Sequence, residues 1–142
     1  MTDDQRAMYK AVVSVRNNEI TLRWTRTQLF FLIHSAGLSL VVTQLKAESA
    51  TYISACAVGV FLGLLWLLTT HRIGHWVMYW DLRLSALENY PPQPVRVFSG
   101  REYAAAQRGF TTHHVLLLLS GLFSAIWMIL LASAVVPKFL GR

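Results

Sequence analysis

Three long apolar stretches constrain the fold of this chain more than any other feature of its sequence. Residues 29–45, 51–70 and 112–136 contain no Asp, Glu, Lys or Arg. Their lengths match the roughly 20 residues that an α-helix needs to cross the hydrocarbon of a bilayer. We therefore expect an all-α, polytopic membrane protein with three transmembrane helices.

The composition agrees with a membrane protein of one domain. The 142 residues are 54% hydrophobic and only 14% charged, whereas about 25% of the residues in a soluble domain are charged. The net charge of +6 comes from side chains that flank the apolar stretches instead of forming a dense patch. Lys and Arg are expected beside membrane spans, so we predict no nucleic-acid partner.

The distribution of Lys and Arg predicts the orientation in the membrane. Residues 1–28 contain five of them, the connection at 46–50 one, residues 71–111 five, and the tail at 137–142 two. Short cytoplasmic segments carry the excess of Lys and Arg. We therefore expect a bacterial inner-membrane protein with its N-terminus and residues 71–111 in the cytoplasm and its C-terminus in the periplasm.

The first two helices are predicted to extend beyond the membrane as an antiparallel hairpin. No proline occurs between Asp3 and Leu45, so a cytoplasmic helix over residues 1–28 continues into the first span, 29–45. The outer turn at 46–50 is so short that the next helix must run antiparallel beside the first.

The second helix crosses at residues 51–70 and continues to about Asn89, where a double proline ends it. The following PPQPVRVF is suited to an extended return toward the bilayer. SGREYAAAQRGF then predicts a short helix, with Ser99 as its N-cap, before the third span at 112–136.

Apolar seams on both cytoplasmic helices predict packing outside the lipid. On the first helix, heptad spacing picks out Met8, Val12, Val15 and Leu22. On the second, steps of four and three pick out Ile73, Val77, Trp80, Leu84 and Leu87. One seam suffices for the hairpin itself, so the other predicts contact with a neighbouring copy. Gly59 and Gly63 add a small-xxx-small face, suited to close helix contact within the chain or between copies.

His34 is the only ionisable residue in the first span, residues 29–45. Ionisable groups at this depth usually face a protein interior or water. Two interpretations remain open. The residue lines a pore or relays protons, or it is a neutral histidine that hydrogen-bonds to a neighbouring helix.

Four histidines stand at the predicted cytoplasmic boundary: His71, His75, His113 and His114. The first two share a helix face at positions i and i+4, which is how a helix offers two metal ligands. A haem or metal site is one interpretation, and interfacial histidines without a ligand are the other. No carboxylate or thiolate stands beside them, and Cys56 is the only cysteine. We expect no cofactor.

No catalytic constellation emerges from the sequence, so we predict that the protein is not an enzyme. Asp81 and Glu88 are one heptad apart. They are interpreted as a solvated or ion-paired helix face, with Arg83 and Arg101 as partners.

The order of motifs resembles a known family. RWTRTQLFFLIHSAGLSLV enters the first span, and LLWLLTTHRIGHWVMYWDLRLSALENYPPQP ends the second before FSGREY. This resembles the RipA-type family of small bacterial inner-membrane proteins over residues 10–103. Its relatives tend to carry a polar residue at the place of His34. SLATT-type membrane effectors are similar in plan, but they lack the third span.

The RipA-type resemblance implies a homo-oligomeric membrane assembly with no assigned enzymatic activity. We therefore predict an assembly of identical copies that acts as a scaffold or gated pore. The alternative is an accessory subunit of a larger respiratory or transport complex in the membrane, including one with a haem or metal site at the boundary histidines.

Overall fold

The computed structural model describes residues 2–46, 49–89, 97–99 and 111–139, with residues 138 and 139 described by their backbone only. Three helices account for nearly all of them: α1, Asp3–Gln44, α2, Ala50–Asn89, and α3, Thr112–Phe139. Strands do not occur within these ranges. Each helix contains a window that is long and apolar enough to cross a membrane. The predicted all-α fold and the three spans are confirmed.

Local capping explains where the first two helices begin. The hydroxyl of Thr2 accepts the N–H of Gln5, and the amide oxygen of Gln5 accepts the N–H of Thr2. This reciprocal pair is a capping box, which satisfies N–H groups that lack partners at a helix start. Ser49 does the same for α2, because its hydroxyl accepts the N–H of Tyr52 at 3.1 Å.

The predicted continuity of the helices beyond the spans is confirmed. The first is unbroken for 42 residues and the second for 40, ending at Asn89. The third passes through Pro137 and ends at Phe139. A proline near the end of a helix removes few backbone hydrogen bonds. Most of the proline-containing return and all of the short helix after Ser99 lie outside the described residues.

The chain divides into two compact units, and α1 and α2 each run through both. The hairpin unit comprises Met1–Thr25 and His71–Val115. Tyr9 contacts Glu88 within it, and Arg16 contacts Asp81. The position on α2 falls by seven as the position on α1 rises by seven, so the two helices pack antiparallel, as predicted.

The span unit comprises Arg26–Thr70 and Leu116–Arg142. Its buried apolar cluster consists of Val41, Tyr52, Cys56, Trp127 and Ala134. A Cβ atom at Gly59 would lie 2.2 Å from the Trp127 ring, and one at Gly63 would lie 2.6 Å from the Ser124 hydroxyl. The small-xxx-small face of Gly59 and Gly63 therefore allows α3 of the same chain to pack closely against α2.

Candidate functional site: a polar ladder, a cationic cleft and a buried histidine

Polar residues line the face of α1 that packs inside the hairpin unit. Tyr9, Arg16 and Arg23 are seven residues apart, and all three are partly buried. Of the heptad seam predicted on this helix, Met8 is 57% exposed and Val15 is 43% exposed, whereas Val12 and Leu22 are partly buried.

Glu88 on α2 is the partner of Tyr9, and five hydrogen bonds converge on its carboxylate. The Tyr9 hydroxyl donates at 3.0 Å. The backbone N–H groups of Val97, Phe98 and Ser99 donate at 3.1, 2.8 and 3.0 Å, and the Ser99 hydroxyl donates at 3.1 Å. The chain is thus still beside Glu88 when it reaches Ser99.

These bonds control the protonation of both partners. Burial raises the pKa of Glu88, but the N–H groups of Phe98 and Val97 and the hydroxyls of Tyr9 and Ser99 more than offset it, so the pKa is lowered. Burial and the adjacent carboxylate raise the pKa of Tyr9. The carboxylate is therefore ionised and the phenol neutral near pH 7.

Asp81 is the second partner on α2. It forms an ion pair with Arg16, with side chains that are 9% and 18% exposed, respectively. The Arg16 guanidinium also lies 4.9 Å from the centre of the Phe98 ring, a cation–π distance. The predicted partner Arg83 instead donates to the Tyr79 hydroxyl, and Arg101 lies outside the described residues. The acids thus join the two helices and are not a solvated face.

We call the polar pairs Tyr9–Glu88 and Arg16–Asp81 the ladder. At the next level, seven residues before Asp81, α2 carries Gly74. A Cβ there would lie 2.3 Å from Cε1 of His113, so the absence of a side chain admits the imidazole ring. A cleft of about 510 Å³ opens at this level, lined by Arg16, Arg23, Gly74, Asp81, His113 and His114 among others. We call it the cationic cleft.

The four boundary histidines lie close together in the hairpin unit. The Nε2 atoms of His71 and His75 are 3.2 Å apart, and the rings of His113 and His114 are 6.1 Å apart. The first pair is close enough to act electrostatically on His113. Even so, no group of three or more His, Cys, Asp or Glu side chains in the described ranges is arranged to hold a metal ion.

His34 is enclosed in the span unit, where it is 1% exposed. Trp127 donates its indole N–H to Nδ1 of the imidazole at 2.8 Å. The rings of Trp66 and Phe123 lie 5.5 and 5.4 Å away, and Phe30 stacks on Trp66 at 5.7 Å. The histidine is the polar centre of an aromatic cluster contributed by all three helices.

The residues predicted for assembly on α2 turn largely toward the interior of the hairpin unit. Ile73 and Leu84 are buried at 7% and 0% exposure, and Val77, Trp80 and Leu87 are partly buried. Another apolar set on this helix is exposed: Met78 at 59% and Leu82 at 62%. In the sequence, this exposed pair could be found by its i, i+4 spacing, because residues four apart lie on the same face of a helix. That face lies beside the one that carries the buried seam.

The fold and these sites define the class: a polytopic α-helical membrane protein whose first two helices form a hairpin beyond the spans. The chain belongs to the octameric membrane protein family (8xMP), whose family model matches residues 6–136. It is thus a member of a family of small homo-oligomeric membrane proteins. No curated protein and no solved structure matches it.

Proposed function

We propose that the protein is a non-catalytic scaffold of eight copies in the bacterial inner membrane, held together through the outward apolar faces of its hairpin unit. The family supplies the expectation of eight. The excess of Lys and Arg in residues 1–28 and 71–111 supports a cytoplasmic hairpin.

Apolar exposure outside the spans carries the proposal. Met8 and Val15 on α1 are exposed, and Met78 and Leu82 on α2 are more than half exposed. Lys10, Arg16 and Glu19 share this stretch of α1 with them, which is unsuited to hydrocarbon. In this proposal these side chains face water and not lipid, and a protein contact covers them.

In this proposal the apolar seams of α1 and α2 have different partners. The α2 seam packs within its own chain, with Ile73 and Leu84 buried. The α1 seam is exposed at Met8 and Val15. In this proposal it is therefore the seam that contacts a neighbouring copy. The predicted assembly role of Ile73, Val77, Trp80, Leu84 and Leu87 stays a prediction, and the partly exposed Val77 and Trp80 are its strongest members.

A scaffold fits the span unit better than a pore through one chain. His34, the residue predicted for a conduction path, is enclosed by aromatic rings. A proton or ion path through it would require those rings to move apart. In this proposal, His34 packs the helices together, and any pore would lie between copies.

This proposal includes a relationship to RipA-type proteins. These form homo-oligomeric membrane assemblies with no assigned enzymatic activity, as proposed here. The accessory-subunit alternative rests on no particular contact among the described residues. It predicts that other proteins co-purify in fixed ratio with the chain.

Native mass measurement in nanodiscs tests the proposal. We expect eight copies for the unaltered protein and smaller species for Val15→Asp and Leu82→Asp, because a carboxylate in an apolar contact is costly to desolvate. Asn18→Asp places the same charge on an exposed polar position of α1 and should keep eight copies. Eight copies in all three variants would exclude these faces as the interface.

A further inference from the structure

We propose that His71 and His75 on α2 together bind a transition-metal ion of the Zn²⁺ type. We call these two residues the paired-histidine site. This inference goes beyond the scaffold function. Both protein ligands belong to one chain, so the site does not depend on the number of copies.

The separation of the two imidazole rings carries the proposal. Their Nε2 atoms are 3.2 Å apart. Two imidazole nitrogens bound at about 2.0–2.1 Å to one tetrahedral Zn²⁺ ion are themselves separated by about 3.3 Å. Both residues lie inside the unbroken helix α2, Ala50–Asn89, which keeps side chains four residues apart on one face. One ion therefore fits both nitrogens with little movement of either ring.

The same separation allows a hydrogen bond between the two rings, in which one Nε2–H donates to the other Nε2. A metal ion needs the lone pair of both Nε2 atoms, so each ring must then carry its proton on Nδ1. In a neutral pair, only the donating ring has to move its proton from Nε2 to Nδ1, and no proton is lost. The hydrogen-bonded pair is thus the metal-free form of the same site.

The ligand atoms select the class of metal. Imidazole nitrogen suits Zn²⁺, Cu²⁺ and Ni²⁺, whereas Mg²⁺ and Ca²⁺ take oxygen ligands. Among the described residues, no third His, Cys, Asp or Glu side chain completes a metal-binding group. Two positions of a tetrahedral ion therefore stay open, in contrast to a structural zinc site with four protein ligands. The paired-histidine site accordingly takes an ion that exchanges with the solution.

The position of the site makes it accessible to such an ion. Both imidazole rings are exposed. Met78 and Leu82 follow His75 by three and seven residues and continue the same face of α2. Both are more than half exposed. The ion would therefore lie on the face that the proposed function assigns to contact between copies, and this last point rests on that proposal.

Calorimetric titration of Zn²⁺ into the full chain in phosphatidylcholine nanodiscs tests the site, with protein purified without a polyhistidine tag. We expect saturable binding to the unaltered protein. His75→Gln removes one of the two ligands. It should weaken binding by roughly tenfold or more, since losing even an outer-shell partner of a metal ligand costs about 10–100-fold in affinity.

Two control variants separate the pair from histidines in general. His114→Gln replaces another exposed histidine of the hairpin unit and should bind Zn²⁺ like the unaltered protein. Arg72→His/His75→Gln keeps the number of histidines but places two of them at adjacent positions, whose side chains do not face each other. This double variant should bind as weakly as His75→Gln.

Three results of the titration overturn the proposal: no saturable binding to the unaltered protein, equal weakening by His75→Gln and His114→Gln, or full binding by the double variant. Electron paramagnetic resonance of the Cu²⁺-loaded protein reads the ligands directly. The spectrum should show two imidazole nitrogens in the unaltered protein and one in His75→Gln, and an equal number in both also overturns the proposal.

The Leu82→Asp variant distinguishes a failure of this inference from a failure of the scaffold. Zn²⁺ binding that persists in its smaller species supports a site within one chain, and binding lost there overturns it. If Leu82→Asp keeps eight copies, the proposed contact face is wrong, but the titrations of His75→Gln and its controls still decide whether the paired-histidine site exists.

Discussion

Trp127 on α3 donates a hydrogen bond of 2.8 Å to Nδ1 of His34 on α1, and both residues are buried. The indole N–H is only a donor, so Nδ1 carries the lone pair and the imidazole proton sits on Nε2. This assigns a neutral tautomer to the histidine inside the first span. The bond joins two helices that are far apart in the chain.

His34→Leu should destabilise the protein without preventing insertion into the membrane. The substitution leaves the Trp127 N–H buried without an acceptor, which costs about 1–3 kcal/mol. Thermal unfolding in nanodiscs measures the loss. Ser39→Ala, which removes an exposed polar group from the same span, is the control and should leave the midpoint unchanged. Equal midpoints in the unaltered protein and His34→Leu would contradict a packing role for the histidine.

Gly59→Ala should be among the most damaging single substitutions in the span unit. The added Cβ would lie 2.2–2.5 Å from ring atoms of Trp127, and relieving such overlap typically costs about 1–3 kcal/mol. Gly121→Ala is the matched control, because a Cβ at Gly121 meets nothing within 4 Å. Thermal unfolding of the two variants is the measurement, and an equal effect in both would mean that α3 does not approach α2 at Gly59.

Acid should weaken the hairpin unit through Glu88. Its pKa is lowered from 4.5 in the folded protein, so the carboxylate's contribution to stability is fully present above about pH 4.5. That contribution is lost as the pH falls through the lower folded value. Glu88→Gln should lower the unfolding midpoint at pH 7 and flatten its dependence on pH in this acidic range.

Asp4→Asn controls for the loss of any carboxylate near the α1 N-terminus, since Asp4 is exposed. It should retain the acid dependence of the unaltered protein. A Glu88→Gln profile that parallels the unaltered one across the acidic range would show that the carboxylate is not held by the hydrogen bonds described above.

Breaking the ion pair of Arg16 and Asp81 on one side should cost more than removing it altogether. Asp81→Leu leaves a guanidinium in a site that is 18% exposed, and breaking a buried pair costs about 3–5 kcal/mol. The double variant Arg16→Leu/Asp81→Leu should recover much of that loss. Chemical denaturation of the three proteins measures the coupling between the two sites.

Arg6→Leu is the control for this comparison. It removes the pair with Asp3, in which the side chains are 62% and 99% exposed, and exposed pairs contribute little. It should leave the denaturation curve unchanged. Independent effects of Arg16→Leu and Asp81→Leu that simply add would rule out a coupled pair.

The three helices and their continuity could be predicted from sequence because they depend on local properties. Uncharged stretches of membrane-spanning length, few helix breakers and Ser49 or Thr2 at a helix start are all visible along the chain. The antiparallel hairpin followed from a short turn. None of these inferences requires knowing which side chains touch.

The tertiary structure alone decided which residues of α1 meet a partner on α2. Heptad spacing indicated Met8 and Val15 on α1, yet the helix turns Tyr9 and Arg16 inward, because Glu88 and Asp81 satisfy them there. Burial of a polar side chain is favourable only when its partner is in place. That partner lies more than sixty residues away in the chain, so periodicity within one helix cannot reveal it. The same long-range dependence placed His34 against Trp127 and brought His113 to Gly74.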